Sequence, residues 1–320
     1  MDVSVFAVPM RTRFRGITVR EGVLLQGRAG WGEFSPFTEY DDPTAAPWLR
    51  AAREAADVGW PAPVRDRVPV NVTVPAVGPE QAADVVRRSA GCRTAKVKVA
   101  EPGQTVADDE ARVAAVRAAL VEGGADGRIR VDANGAWSVE QAVAAIAAID
   151  RAAGGLEYVE QPCASVEELA SVRRRVDVLI AADESIRRAA DPYRVRDLEA
   201  ADIAVLKVQP LGGVRACLRI AEDIGLPVVV SSALETSIGI AAGVALAAAL
   251  PELPYACGLA TVQLMTDDPV TESLLPVDGS LPVRRPMVDP GALARVRADE
   301  ERATWWQERL ARVAATEGDA

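Results

Sequence analysis

From about residue 68 the chain alternates two hydrophobic rhythms. Short apolar runs of strand length occupy 68–74, 94–99, 128–132, 156–160, 178–182, 201–208, 227–231 and 254–258. Between them lie alanine-rich stretches whose apolar positions recur every three or four residues, predicting amphipathic helices over 104–121, 138–152, 166–176, 214–224 and 237–250. Strands alternating with helices predict βαβ units and a parallel sheet. Seven or eight such units are what a closed (β/α) barrel requires. An open doubly wound sheet is the alternative, but no G-x-G-x-x-G follows the first strand. The first 66 residues differ. Runs at 3–9, 16–27 and 30–33 read as short antiparallel strands, followed by a helical pattern over 44–58. After about residue 265 comes an irregular stretch and an amphipathic pattern over 290–314. The expected organisation is an α/β barrel at 67–264, preceded by a small α+β unit at 1–66 that the tail at 265–320 returns to complete.

Composition narrows the function. The net charge of −10 argues against nucleic acid or an anionic membrane as the main partner, yet permits a small anionic substrate at a locally basic site. No apolar run approaches the roughly 20 residues of a membrane span, and the N-terminus has no signal-peptide core, so a cytoplasmic protein is expected. Cys92, Cys163, Cys217 and Cys257 are widely spaced and read as buried thiols. Histidine is absent, which removes every histidine-based triad, dyad or metal site. Lysine is nearly absent. Of 36 basic residues only Lys96, Lys98 and Lys207 are lysine, leaving 33 arginines. Arginine cannot give up its proton in a protein, whereas lysine can serve as a base.

Parallel barrels carry their chemistry at the C-terminal ends of their strands. Five successive predicted strands end there in an ionisable group: Lys96 with Lys98, Asp132, Glu160, Asp183 and Lys207. Buried charges are costly unless paired or metal-bound, so five together point to a site. Three carboxylates without His or Cys suit a hard ion, Mg²⁺ or Mn²⁺. Asn134 and Glu184 read as neighbours that orient these groups, and Gln161 follows Glu160 on the same strand end. Strand periodicity turns Lys96 and Lys98 to one face, where mutual repulsion predicts a lowered pKa for one of them. It also turns Arg130 to the side of Asp132, where it is expected to meet an anionic substrate. A class I aldolase with a Schiff base on Lys207 is a further reading, although it leaves the carboxylates and the Lys96/Lys98 pair without a role.

The order Lys96-x-Lys98, Asp132, Glu160, Asp183, Lys207 resembles the enolase superfamily in its muconate-lactonising subgroup. That resemblance implies a capping domain before a modified (β/α) TIM-type barrel. It also implies Mg²⁺ on the three carboxylates, and lysines flanking an enediolate made by removing a proton α to a carboxylate. Further similarity lies in Gly32-Glu33-Phe34-Ser35-Pro36-Phe37, in Arg130-Val131-Asp132-Ala133-Asn134, in Ser231–Ser237 and in Gly258-Leu259-Ala260-Thr261. These segments are similar to those of the subgroup's aromatising dehydratases, which convert 2-succinyl-6-hydroxy-2,4-cyclohexadiene-1-carboxylate to o-succinylbenzoate on the way to menaquinone. The resemblance implies Lys98 as base and acid on one face and Lys207 as the opposing cation. Hydroxyls and backbone N–H groups around Ser232, Thr236 and Gly258 would hold the succinyl tail. A racemase or epimerase of N-succinylamino acids on the same scaffold stays open, because it would use the same lysines.

Overall fold

The computed structural model describes residues 2–124, 126–188 and 191–316. The chain begins with an antiparallel meander of β1 (Asp2–Phe14), β2 (Ile17–Gly27) and β3 (Gly30–Phe34). The β1–β2 turn places Arg15 and Gly16 both at positive φ, 51° and 79°. Helix α1 (Asp42–Arg53) is capped by the Asp41 side chain, which accepts from Thr44 N. It runs into a π-helical turn (Glu54–Val58) that stops at Gly59, φ 77°. Gly32 lets α1 lie against β3: a Cβ there would stand 2.0 Å from the Ala52 carbonyl oxygen.

The barrel follows. Its first predicted strand divides into β4 (Arg67–Pro69) and β5 (Asn71–Val74). Pro69 lacks an N–H, and β4 turns away to pair antiparallel with a late strand. Next come α2 (Pro79–Arg87), β6 (Thr94–Lys98), α3 (Val106–Glu122), β7 (Arg128–Asp132), α4 (Val139–Ala153), β8 (Tyr158–Glu160) and α5 (Val166–Arg173). After these come β9 (Ile180–Ala182), the short helices α6 (Glu184–Arg187) and α7 (Arg194–Asp197), β10 (Ile203–Lys207), α8 (Val214–Ile224), β11 (Val228–Ser231) and α9 (Ser237–Ala249). Capping boxes at Thr105/Asp108, Ser138/Gln141 and Ser165/Glu168 start α3, α4 and α5 in register with the strands they follow.

The seven strands β5 to β11 pair in parallel, in chain order. The predicted eighth strand at 254–258 is reduced to two bridging residues. Asn71 N donates to Cys257 O (2.9 Å) and Cys257 N to Pro69 O (2.7 Å). On the other side Gly258 N donates to Val230 O (2.8 Å) and Ser232 N to Gly258 O (3.0 Å). Those bonds close the ring between β11 and β5. Gly258 packs closely there: a Cβ on it would lie 2.5 Å from Ser231 Oγ.

The tail supplies β12 (Ser280–Pro282), which is β4's partner, then α10 (Pro290–Arg295) and α11 (Glu300–Thr316). The predicted helix over 290–314 is therefore broken. Residues between the two helices act as an extra strand edge for β1: Ala7 N donates to Val296 O (2.8 Å) and Ala298 N to Val5 O (3.1 Å). Helix α11 packs on α1 and β1, and its buried Trp306 meets Phe34 edge to face at 6.1 Å. All four cysteines are free and buried.

Candidate active site

Strand register builds the site. Lys98, Asp132 and Glu160 are direct neighbours across β6, β7 and β8 at the C-terminal rim. One layer lower lie Lys96, Arg130 and Tyr158. Asp183 follows β9, and Lys207 ends β10 beside Ser231 of β11. The three carboxylates are buried and each is neutralised by a cation. Lys96 Nζ bridges Glu160 (3.0 and 3.1 Å) and Asp132 Oδ2 (3.4 Å). Lys98 Nζ donates to Asp132 Oδ2 (2.6 Å) and Asn134 Oδ1 (2.7 Å). Lys207 Nζ donates to Asp183 Oδ2 (2.6 Å), whose other oxygen accepts from Arg187 Nε (2.8 Å).

The electrostatics follow from this packing. Burial opposes the charge on Lys96, but Glu160 and Asp132 outweigh it and hold its pKa above the ordinary lysine value. At Lys96 itself, then, the lowering expected from lysine repelling lysine is not found. Burial likewise opposes ionisation of Asp132 and Asp183. Lys98 with Lys96, and Arg187 with Lys207, reverse that and hold both carboxyls below their usual range.

A cavity of about 700 Å³ opens above this rim. Its floor holds Lys96, Lys98, Asp132, Asn134, Glu184 and Lys207; its walls include Ser231, Ser232, Gly258 and Thr261. Ser232 and Thr261 hydroxyls are 2.8 Å apart. From the N-terminal unit the β1–β2 hairpin tip (Thr12, Arg13, Phe14, Arg15, Gly16) and Phe37 close the top. The hairpin residues, together with Arg187 and Arg188, escaped the sequence reading. The hairpin meets the barrel only in three dimensions, and the arginines are lost among the chain's 33.

Two expected substrate contacts, Arg130 and Thr236, take other roles, and Gln161 supports the rim from below. Arg130 is fully buried beneath the rim, donating to Glu157 Oε2 (2.8 Å), Tyr158 Oη (2.9 Å) and the Ala256 carbonyl (2.8 Å), and does not line the cavity. Thr236 caps α9 and turns its hydroxyl to Glu33 (2.5 Å), away from the cavity. Gln161, at φ 42°, lies below the cavity, where its Oε1 accepts from Asp183 N (3.0 Å) and Ser185 N (3.1 Å) and so fixes the turn carrying Asp183.

The acidic donors are all oxygen and stand on adjacent strand ends, the right chemistry for a hard divalent ion. Among the described residues no three such side chains meet closely enough to bind one, and each of the three carboxylates is instead ion-paired, to Lys96, Lys98, Lys207 or Arg187.

Comparison with known proteins completes the assignment. Residues 79–300 match the enolase C-terminal domain-like family and residues 5–56 the enolase N-terminal domain-like family. The chain is 67% identical to the o-succinylbenzoate synthase of Thermobifida fusca, covering 97% of this chain and 95% of that one. It is 59% identical to the o-succinylbenzoate synthase of Mycolicibacterium smegmatis, covering 96% and 94%. Among solved structures, the muconate lactonizing enzyme of Pseudomonas putida shares the fold at TM-score 0.73 and 21% identity, covering 93% of this chain and 98% of that one. The L-Ala-D/L-Glu epimerase of Bacillus subtilis does so at 0.75 and 23%, covering 90% and 96%. The fold and the paired domain matches make the chain a member of the enolase superfamily, whose enzymes use Mg²⁺. Within it the chain belongs to the o-succinylbenzoate synthase family and is a carbon–oxygen lyase.

Proposed function

We propose that Lys98 and Lys207 flank the reacting carbon of 2-succinyl-6-hydroxy-2,4-cyclohexadiene-1-carboxylate and that Lys98 moves the proton in its conversion to o-succinylbenzoate and water. The observation that carries this reading is their opposition: β6 and β10 stand four places apart in a ring of eight, and both lysines line one cavity. Lys98, as the neutral amine, takes the proton α to the ring carboxylate, and the C–H electron pair flows into that carboxylate to give an enediolate. The pair then returns to the ring, the neighbouring C–O bond breaks, and the Lys98 ammonium gives its proton to the departing hydroxyl on the same face. Lys207 stays cationic and stabilises the anion. Asp132, Glu160 and Asp183 are the residues that would hold Mg²⁺ or Mn²⁺. When bound, the ion supplies positive charge at the carboxylate where negative charge develops. Lys96 supports Glu160 and Asp132 from below.

In this reading the N-terminal unit at 1–66, with the tail at 265–320, is a cap over the catalytic barrel at 67–264, and the enzyme acts in the cytoplasm in menaquinone synthesis. Lys207 is ion-paired to Asp183 rather than set in an apolar pocket, which disfavours a Schiff-base aldolase. The test is dehydration of the cyclohexadiene substrate, with and without Mg²⁺, by wild type and Lys98→Ala. Turnover should need the metal and fall by about 10³-fold or more in the variant; retained turnover overturns the role of Lys98. N-succinylamino acids run in parallel in D₂O give the rival outcome: α-proton exchange faster than dehydration would make racemisation the main activity.

A further inference from the structure

Asn134 has a pinned backbone and a free choice of side-chain orientation. It sits in the left-handed region at φ 48°, with its N–H on Asp132 Oδ1 (3.1 Å). The next residue, Gly135, donates to the Gln161 carbonyl (2.7 Å), and a Cβ there would press on Ala164 Cα at 3.2 Å. The carboxamide is nearly symmetric in shape, so packing alone does not decide which end faces Lys98. One acid decides it. Asn134 Nδ2 donates to Glu184 Oε1 (3.2 Å), which leaves Oδ1 to accept from Lys98 Nζ (2.7 Å). Glu184 is itself held by Arg187 Nη2 (2.6 Å).

We propose that Glu184 is a positioning residue for Lys98, acting through Asn134: it fixes the amide so that Lys98 always meets an oxygen there. The inference rests on Lys98 being the base. Lys98 then has two fixed acceptors, Asp132 Oδ2 at 2.6 Å and Asn134 Oδ1 at 2.7 Å. A neutral amine has two N–H bonds and one lone pair. With both N–H bonds engaged, the lone pair has one direction left, into the cavity that Lys98 lines. In the ammonium the third N–H occupies the same direction. Proton removal and proton return thus share one path, which is what departure of the hydroxyl from the same face requires. A flipped amide would set N–H against N–H and release that direction.

The test uses the full-length enzyme with saturating Mg²⁺. Glu184→Met should lower kcat by about 10- to 100-fold, as loss of a partner behind a catalytic group does, with KM and Mn²⁺ affinity (by electron paramagnetic resonance) within about threefold of wild type. Glu184→Gln, which still offers an oxygen to Asn134, should recover most of the kcat loss. Asn134→Leu should lower kcat comparably, and the Asn134→Leu/Glu184→Met double variant should be no worse than either alone. Asn134→Asp has two equivalent oxygens and cannot be misoriented, so adding Glu184→Met to it should cost nothing further in kcat. This keeps the idea testable if Glu184→Met alone folds poorly. Wild-type kcat in Glu184→Met, or additive losses in the double variant, overturns the proposal. So does Mn²⁺ binding lost in both Glu184 variants, which would make Glu184, whose buried Oε2 has no hydrogen-bond partner, a metal ligand instead. An inactive Lys98→Ala beside a fully active Glu184→Met sinks only the positioning role; an active Lys98→Ala sinks the base assignment itself.

Discussion

Arg130 and Asp132 lie on one face of β7, two residues apart, and that difference separates structure from chemistry. Two residues along a strand are about 7 Å of depth. Asp132 is at the rim, whereas the Arg130 guanidinium is sealed in the barrel among Glu157, Tyr158 and the Ala256 carbonyl. Alternation of residue types reveals which face a side chain takes but not how deep it sits, so the rim residues were legible in the sequence and the role of Arg130 was not. The rim was readable because five strand ends carry charge where a barrel interior tolerates none unpaired. The raised pKa of Lys96 was not legible for a related reason: repulsion between lysines is visible in the spacing, while the Glu160 and Asp132 that surround Lys96 arrive from other strands. A sealed arginine gives a clear expectation. Arg130→Met should leave Glu157 partnerless and destabilise the fold by roughly 3 kcal/mol, near the lower end for a broken buried pair because Glu157 is partly solvated. Thermal unfolding should report that loss while KM holds; a raised KM with an unchanged Tm would return Arg130 to substrate binding.

Helix α9 shows how elements from different parts of the chain complete one another. Its first turn meets a carboxylate from the cap. Glu33 accepts from Thr236 N (3.1 Å), Thr236 Oγ1 (2.5 Å) and Gly239 N (3.0 Å), while Ser35 Oγ donates to its other oxygen (2.7 Å). Arg20 of β2 ties the same junction by donating to the Leu234 carbonyl (2.6 Å). Thr236 was expected at the substrate because a hydroxyl after a barrel strand usually faces the site; the partner that claims it lies some 200 residues earlier and no local pattern announces it. Burial, only partly offset by Arg20, pushes the Glu33 carboxyl up to about 7. Between about pH 5 and 7 the folded protein therefore holds a proton that the unfolded chain has lost. Stability must fall as pH rises through that window and level off above it, by at most about 3 kcal/mol. Glu33→Gln removes this titration. The Tm of the variant relative to wild type should rise from pH 5 to pH 7.5; a constant difference would mean that Glu33 is ionised throughout.

At the scale of the molecule, the cap is held by both ends of the chain. The two-part plan was legible in the change of hydrophobic rhythm near residue 68, but the joint made by 296–298 with β1 was not. It converts residues inside a helical pattern into a strand edge, and backbone pairing with a distant partner outweighed local propensity. That joint delivers α11 onto α1, where Trp306 is buried against Phe34 and donates Nε1 to Glu21 Oε2 (3.1 Å). Phe34 ends β3, and β3 carries Glu33, the residue that accepts from the first turn of α9. Packing at the C-terminus is thus connected through one strand to the loop of Ser232 and Leu234 that lines the cavity. Trp306→Ala should cost about 3–5 kcal/mol through the cavity it leaves, lowering Tm by roughly 10 °C. Because the lost packing supports the hairpin over the site and not the strand ends, the variant assayed well below its Tm should show a raised KM, with kcat reduced less than KM is raised. Equal loss in kcat with an unchanged KM would show that the cap's support reaches the lysines, and the separation of binding by the cap from chemistry by the barrel would have to be abandoned.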